Sequence, residues 1–246
     1  MKIHNVFIST FRFKKMKKAV IISTIIIVIS LGTLFYFYYF NNPNYSELNC
    51  QTLIESGIPE ENINIVFFTD GIGKEELNTY INEILSTPPF SENKEKFNFY
   101  YINTQIECEL KYSAILCYSR ELIKKSSACP NDFIAVISKK DPSIRSSAYL
   151  NVMSINSALA PTVIVHEFGH VFANLADEYI PANIPFGSKN CKSNCENFNG
   201  IGNCFQGCSE SDYSRSSYAS IMRTLKSNSF EEFNEELINQ KIQEYK

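Results

Sequence analysis

The chain has 246 residues, which suits one globular domain plus an attachment and is long enough to bury a real core. Its net charge is only −3, but the first 18 residues carry bases (Lys2, Arg12, Lys14, Lys15, Lys17, Lys18) and no acid, while the other 17 bases and all 26 acids follow residue 40. So acidic a main portion argues against nucleic acid as a partner.

The basic stretch 1–18 gives way to an uncharged run over residues 19–40, AVIISTIIIVISLGTLFYFYYF. As a helix this run would be about 33 Å long, enough to cross a bilayer core. It ends in six aromatic residues, Phe35 to Phe40, which suit a membrane interface better than a cleavage site. The expectation is a retained single-pass transmembrane helix at 19–40, with 1–18 as a cytoplasmic tail and all later residues outside the cytoplasm. A start at Met16 would leave that topology unchanged. Residues 41–49 read as a polar stalk, and Asn44-Tyr45-Ser46 matches the common glycosylation pattern.

Strand and helix patterns then alternate. NINIVFFTD (62–70) is an apolar, β-rich run closed by a turn at Asp70-Gly71. KEELNTYINEIL (74–85) has helical spacing, KFNFYYINT (96–104) is strand-like, and SRELIKKSSA (119–128) is a short helix. DFIAVIS (132–138) is a further strand, and SSAYLNVMSIN (146–156) reads as one edge strand with polar residues interleaved. A helix begins near Pro161, in the position proline takes in a first turn. Beyond Tyr179 the chain becomes loops rich in Asn, Gly, Ser and Cys, until a last helix within 230–245. Alternation of this kind predicts an α/β sheet domain over 50–246.

All eight cysteines follow residue 40, which suits disulfides in an oxidising space. Cys191, Cys195, Cys204 and Cys208 form two Cys-x-x-x-Cys units. They are compatible with nested disulfides, Cys191–Cys208 and Cys195–Cys204, or with a four-cysteine structural zinc; the oxidising compartment favours the disulfides.

The chemistry concentrates in VIVHEFGHVFANLADEY, Val163 to Tyr179. Four residues apart on a helix, His166 and His170 share a face and can turn ring nitrogens to one metal ion. Glu167, one step round, is placed to act as general base toward a water that a zinc ion acidifies. The chain has only three histidines, and the third, His4, falls across the expected membrane, so the remaining ligand must be a carboxylate or a thiolate. Asp177 and Glu178 are the nearest carboxylates. On a straight helix Asp177 would lie about 16 Å from His166 along the axis, so the chain must turn after Phe172, with Asn174 suited to left-handed geometry. Asp177 is preferred to Glu178 on reach.

The motif HEFGHVFANLADEY resembles the signature of the IgA-peptidase family of secreted zinc metallopeptidases. IVFFTDG followed by KEEL, and PPFSENKEKFNFYYI (88–102), are similar to upstream segments of that family, and YASIMRT (218–224) is similar to the methionine turn of the wider metzincins. The resemblance spans roughly 62–225. It implies an α/β, metzincin-like zincin domain: a mixed twisted sheet above an active-site helix, and a small loop-rich C-terminal subdomain, divided near residue 172. It further implies zinc held by His166 and His170, Glu167 as general base, Met222 beneath the metal, and residues 147–154 pairing with an extended substrate. This chain departs from many metzincins in having Ala176 where a third histidine would stand, Ala173 where a glycine would turn the chain, and Arg223 after the methionine. The resulting expectation is a membrane-anchored zinc endopeptidase acting on proteins or peptides outside the cytoplasm, with metal ligands His166, His170 and Asp177. The rival is a surface binding protein that keeps such a fold without catalysis; the intact Glu167 argues against it.

Overall fold

The computed structural model describes residues 23–36, 48–69 and 72–245. The basic tail with His4 and Met16, residues 41–47 of the expected stalk with Asn44, and the Asp70-Gly71 turn lie outside the described residues. Two compact units are present, Met1–Asn44 and Tyr45–Lys246. In the first, helix α1 covers residues 23–36, and its side chains are exposed.

The expected transmembrane helix is not found: among the described residues no helix is long and apolar enough to cross a membrane. Residues 19–22 and 37–40 of the expected span lie outside the described residues, and the described part, 23–36, is shorter than the roughly 20 residues a bilayer core needs. The fold-class expectation is corrected on this point.

The second unit is a mixed α/β fold around a six-stranded sheet, in the order β1-β3-β2-β6-β8-β7. Its strands are β1 (Cys50–Ile54), β2 (Ile63–Thr69), β3 (Phe97–Ile102), β6 (Phe133–Ser138), β7 (Ser147–Tyr149) and β8 (Val152–Asn156). The central strands β3, β2, β6 and β8 run parallel, and β1 and β7 close the two edges antiparallel. Both faces of the sheet are covered, which is why β2 and β3 read as unbroken apolar runs. On one face Ile65, Phe67, Phe99, Ala135 and Met153 meet helices α2 (Lys74–Ser86), α4 (Val163–Ala173) and α5 (Glu232–Ile242). On the other, Val66, Phe68, Tyr100 and Val136 meet Leu122 of α3 (Arg120–Ser126) and Ile115 of a small hairpin, β4 (Glu109–Lys111) and β5 (Ala114–Leu116).

Helix α4 is pinned beneath the sheet by aromatic contacts: the Phe168 ring lies 4.9 Å from Phe90 and 5.6 Å from Phe133, centroid to centroid. Contacts of this kind contribute about 0.5–1.5 kcal/mol each beyond burial. The helix starts at Val163 with Thr162 as its cap residue, so Pro161 stands just ahead of it and not in its first turn.

Residues 146–156, expected as one edge strand, are a hairpin. The chain reverses at Leu150, which has φ +53°, and pairs Tyr149 with Val152. Strand β8 is therefore interior, and only Ser147–Tyr149 forms the edge. All eight cysteines are paired: Cys50–Cys129, Cys108–Cys117, Cys191–Cys208 and Cys195–Cys204. The last two bonds select the nested disulfides over a four-cysteine zinc. The cysteine-rich loops also carry a hairpin, β9 (Phe205–Cys208) and β10 (Glu210–Arg215), where the sequence suggested loops alone.

Candidate metal centre

Helix α4 stops at Asn174, whose φ of +51° and ψ of +39° are left-handed, and its backbone N–H returns to the Gly169 carbonyl. This is the turn expected at that asparagine. It ends the straight run that would have carried Asp177 away, and folds residues 174–178 back under the helix. The side chain of Asn190 holds the returning segment at Ala176, accepting its N–H at 2.7 Å and donating to its carbonyl at 2.9 Å. Ala176, where many metzincins place a histidine, is fully buried and gives only backbone to this contact.

His166, His170 and Asp177 come together as a group that can hold a metal ion. The two Nε2 atoms lie 3.1 Å apart, and Asp177 Oδ1 lies 3.1 Å from one and 3.3 Å from the other. Ligands about 2.0–2.1 Å from a tetrahedral zinc sit about 3.3–3.4 Å from one another. The triangle therefore has the size of one face of such a site.

Proton placement supports the same use. His166 Nδ1 donates to the Ile221 carbonyl at 2.9 Å, and His170 Nδ1 donates to the Leu175 carbonyl at 2.6 Å. A carbonyl can only accept, so both Nδ1 atoms carry hydrogen, and each ring in its neutral form turns an Nε2 lone pair inward. Asp177 Oδ1 is buried and faces both Nε2 atoms. Three acceptors facing one point repel unless a cation, or a proton, sits among them. Tyr179 fixes the aspartate by donating from its hydroxyl to the other oxygen, Oδ2, at 3.0 Å.

Glu178 goes elsewhere. Its carboxylate is fully buried and accepts from Asn190, Asn234 and Ser220 at 3.2, 2.9 and 2.5 Å. Neighbouring side chains leave a non-helical segment on different sides, so Asp177 reaches the histidines while Glu178 ties the C-terminal loops and α5 together.

Met222 is fully buried beneath α4, and its carbonyl accepts the Glu178 N–H at 2.9 Å. Gly169 permits this approach: a Cβ there would meet Met222 Sδ at 2.8 Å and a Phe230 ring carbon at 2.8 Å. Gly169→Ala is expected to cost about 1–3 kcal/mol through overpacking, read as a lower denaturant midpoint with unchanged slope.

Without metal, His166 is pushed up to about 9: burial opposes the charged ring, but the Asp177 hydrogen bond and the nearby Glu167 and Asp177 charges outweigh it. Burial likewise works against the Asp177 carboxylate, yet the two imidazoles hold it well below the usual range. The sign for stability follows. His166 is raised above its ordinary 6.5, so its pairing stabilises the metal-free fold fully below that value and the contribution fades as pH climbs toward 9. The aspartate's share is present above its ordinary 3.8 and fades as pH falls through its lowered value. Metal and proton compete for the same Nε2, so metal affinity should rise across the window from 6.5 to 9. Melting curves of chelated and metal-loaded protein should therefore separate further at the alkaline end; a constant gap contradicts this competition.

Glu167 is buried beside this triangle, and its carboxylate accepts no hydrogen bond among the described residues. Burial raises its pKa, with Asp177 adding to the rise and His166, His170 and Arg145 opposing it. A cleft of about 430 Å3 opens onto Glu167, both histidines and Asp177, and is bordered by β7 through Ser147, Ala148 and Tyr149. No other strand of the sheet lies beyond that edge. Strand β5 bonds to its start, with the Ile115 N–H donating to the Arg145 carbonyl at 2.9 Å and the Ser147 hydroxyl donating to the Ile115 carbonyl. The substrate-pairing segment expected over 147–154 shrinks to Ser147–Tyr149.

The sequence reading missed Tyr179 and Arg145. Tyr179 had a readable signal, since it follows Asp177 by two residues and an extended chain returns alternate side chains to one side. Arg145 had none, because its place depends on the hairpin that follows it. Searches of protein-family models and of curated proteins find no match to this chain.

Proposed function

We propose that this protein is a zinc-dependent endopeptidase acting on proteins or peptides. The observation that carries the reading is the triangle of His166 Nε2, His170 Nε2 and Asp177 Oδ1, beside a buried carboxylate and an open cleft. A zinc ion held by these three atoms would supply Lewis acidity, polarising a peptide carbonyl and acidifying water.

The chain's own residues do the remainder. Ile221 and Leu175 carbonyls hold the imidazoles in the ligating tautomer, and Tyr179 holds Asp177. The Glu167 carboxylate takes a proton from the attacking water and hands it to the leaving amine. Its raised pKa brings it closer to the operating pH, where both transfers are efficient. The exposed edge of β7 offers backbone groups to an extended substrate, as in strand addition. The motif's resemblance to the IgA-peptidase family supports the same chemistry, and the four disulfides suit an oxidising compartment outside the cytoplasm.

The test is digestion of a mixed peptide library by the purified full chain. Internal cleavage that stops on chelation and returns with zinc is the expected result. Peptides retained but never cut, at any metal loading, would favour the non-catalytic binding protein.

A further inference from the structure

Two arginines line one cavity beside the candidate centre. Arg145 precedes edge strand β7, and Arg223 follows Met222. Both line a cavity of about 240 Å3 that also includes Val163, His166, Glu167 and Tyr179. The last three residues also border or floor the main cleft, so the cavity is a side pocket of that cleft.

The basic charge is offset only in part from within, by the Glu167 charge acting on Arg145. Among the described residues neither arginine forms an ion pair. Arg223 donates from Nη1 to the Glu178 carbonyl at 2.9 Å, which anchors the guanidinium but leaves most of its five donors free. Arg145 donates to the Tyr112 carbonyl at 3.4 Å and is exposed. Of the nearby carboxylates, Asp177 faces the histidines and Glu178 is held by its buried amides and hydroxyl, while Glu167 lines the same cavity and acts on Arg145. The remaining wall is mostly apolar, from Leu159, Val163 and Leu225, with Ser146 and Thr224 adding hydroxyls. A pocket of this size takes one side chain, not a folded partner. Two guanidinium groups on a mostly apolar wall fit a carboxylate, which guanidinium binds through parallel N–H donors. The surplus is local, since the chain as a whole carries a net negative charge.

We infer that this pocket selects substrates by a carboxylate on the residue next to the cleaved bond, with Arg145 and Arg223 as its receptors. The inference rests on the peptidase reading and sets its substrate class. The carboxylate has two sources: an internal aspartate or glutamate side chain, or the free C-terminus of a short peptide.

The test compares matched peptides in the zinc-loaded full chain: internal glutamate against alanine beside the cleaved bond with capped ends, and a C-terminal alanine as free acid against amide. Carboxylate peptides should show kcat/KM roughly ten- to a hundredfold higher, the size expected of a charge-assisted contact. The pair that shows the ratio identifies the source. Arg145→Ala and Arg223→Ala should each reduce the ratio and together erase it, and Arg145→Lys and Arg223→Lys should restore part of it. The lysine variants also guard against loss of folding at half-buried Arg223. Calorimetric binding of the same peptides to Glu167→Gln gives a readout without turnover and should show the same order, weakening with salt.

Cleavage with no carboxylate preference, or with a preference that survives both arginine substitutions, overturns the pocket assignment and leaves the peptidase reading intact. Failure of the zinc-loaded protein to cut any peptide overturns the peptidase reading, and the binding arm still decides whether the arginines hold a carboxylate.

Discussion

Glu167→Gln is expected to lower peptide hydrolysis by about 10²–10⁴-fold, the usual contribution of a positioned acid–base group, while metal content stays at the wild-type level. Glutamine has the shape of glutamate but cannot take a proton. The substitution is informative because Glu167 is buried and free of hydrogen bonds among the described residues, so no network collapses when its charge is removed. Steady-state rates on a cleaved peptide, with metal analysis of the same sample, give the comparison. Full activity in the glutamine variant would assign the proton transfer to another group and remove Glu167 from the mechanism.

The second large effect separates two adjacent acids. Asp177→Asn removes the charge that faces both Nε2 atoms, at 3.1 and 3.3 Å. Loss of a group that only supports a ligand costs about 10–100-fold in metal affinity, so this direct loss should exceed roughly a hundredfold. Glu178→Gln should do the reverse. It disturbs the bonds from Asn190, Asn234 and Ser220 and should cost about 1–3 kcal/mol of stability. Its metal affinity should fall by less than that of the aspartate variant. Metal titration and thermal melting of both proteins check the crossover. Equal metal loss in the two would mean that the irregular segment 174–178 does not separate their roles.

Much of the centre was legible before the fold was known. The His166–His170 spacing fixes a shared helix face, and the shortage of histidines pointed to a carboxylate or a thiolate as their third companion, a place that Asp177 takes in the group. The length of a straight helix required a turn, and Asn174 supplies it. Tyr179 and the two carbonyls that set the imidazole tautomers were less accessible. Backbone carbonyls from Ile221 and Leu175 leave no trace in residue type, because any residue presents one.

The fold divides in the same way. The two-sided core strands β2, β3 and β6 announce themselves by continuous apolar runs. The β4–β5 hairpin does not: its strands are too short for periodicity, and its tip uses Tyr112 and Ser113 at φ +50° and +59°, not the Asn-Gly that marks such turns. Edge strand β1 alternates too weakly to be seen, with Gln51 and Thr52 exposed. Residues 146–156 misled because polar interruption suits both an edge strand and a reversal, and the left-handed residue is Leu150, an unusual choice there. The expected transmembrane helix failed for a different reason. Hydropathy over 19–40 reports apolar composition alone, while among the described residues no helix is long and apolar enough to cross a membrane.

Anomalous diffraction at the zinc edge, from crystals of the full chain grown with stoichiometric zinc, tests the account most directly. The predicted result is one ion bonded to His166 Nε2, His170 Nε2 and Asp177 Oδ1 at about 2.0–2.1 Å, with Glu167 beside it and unbonded. No ion at that position, or an ion bound through Glu178 with Asp177 turned away, would contradict it.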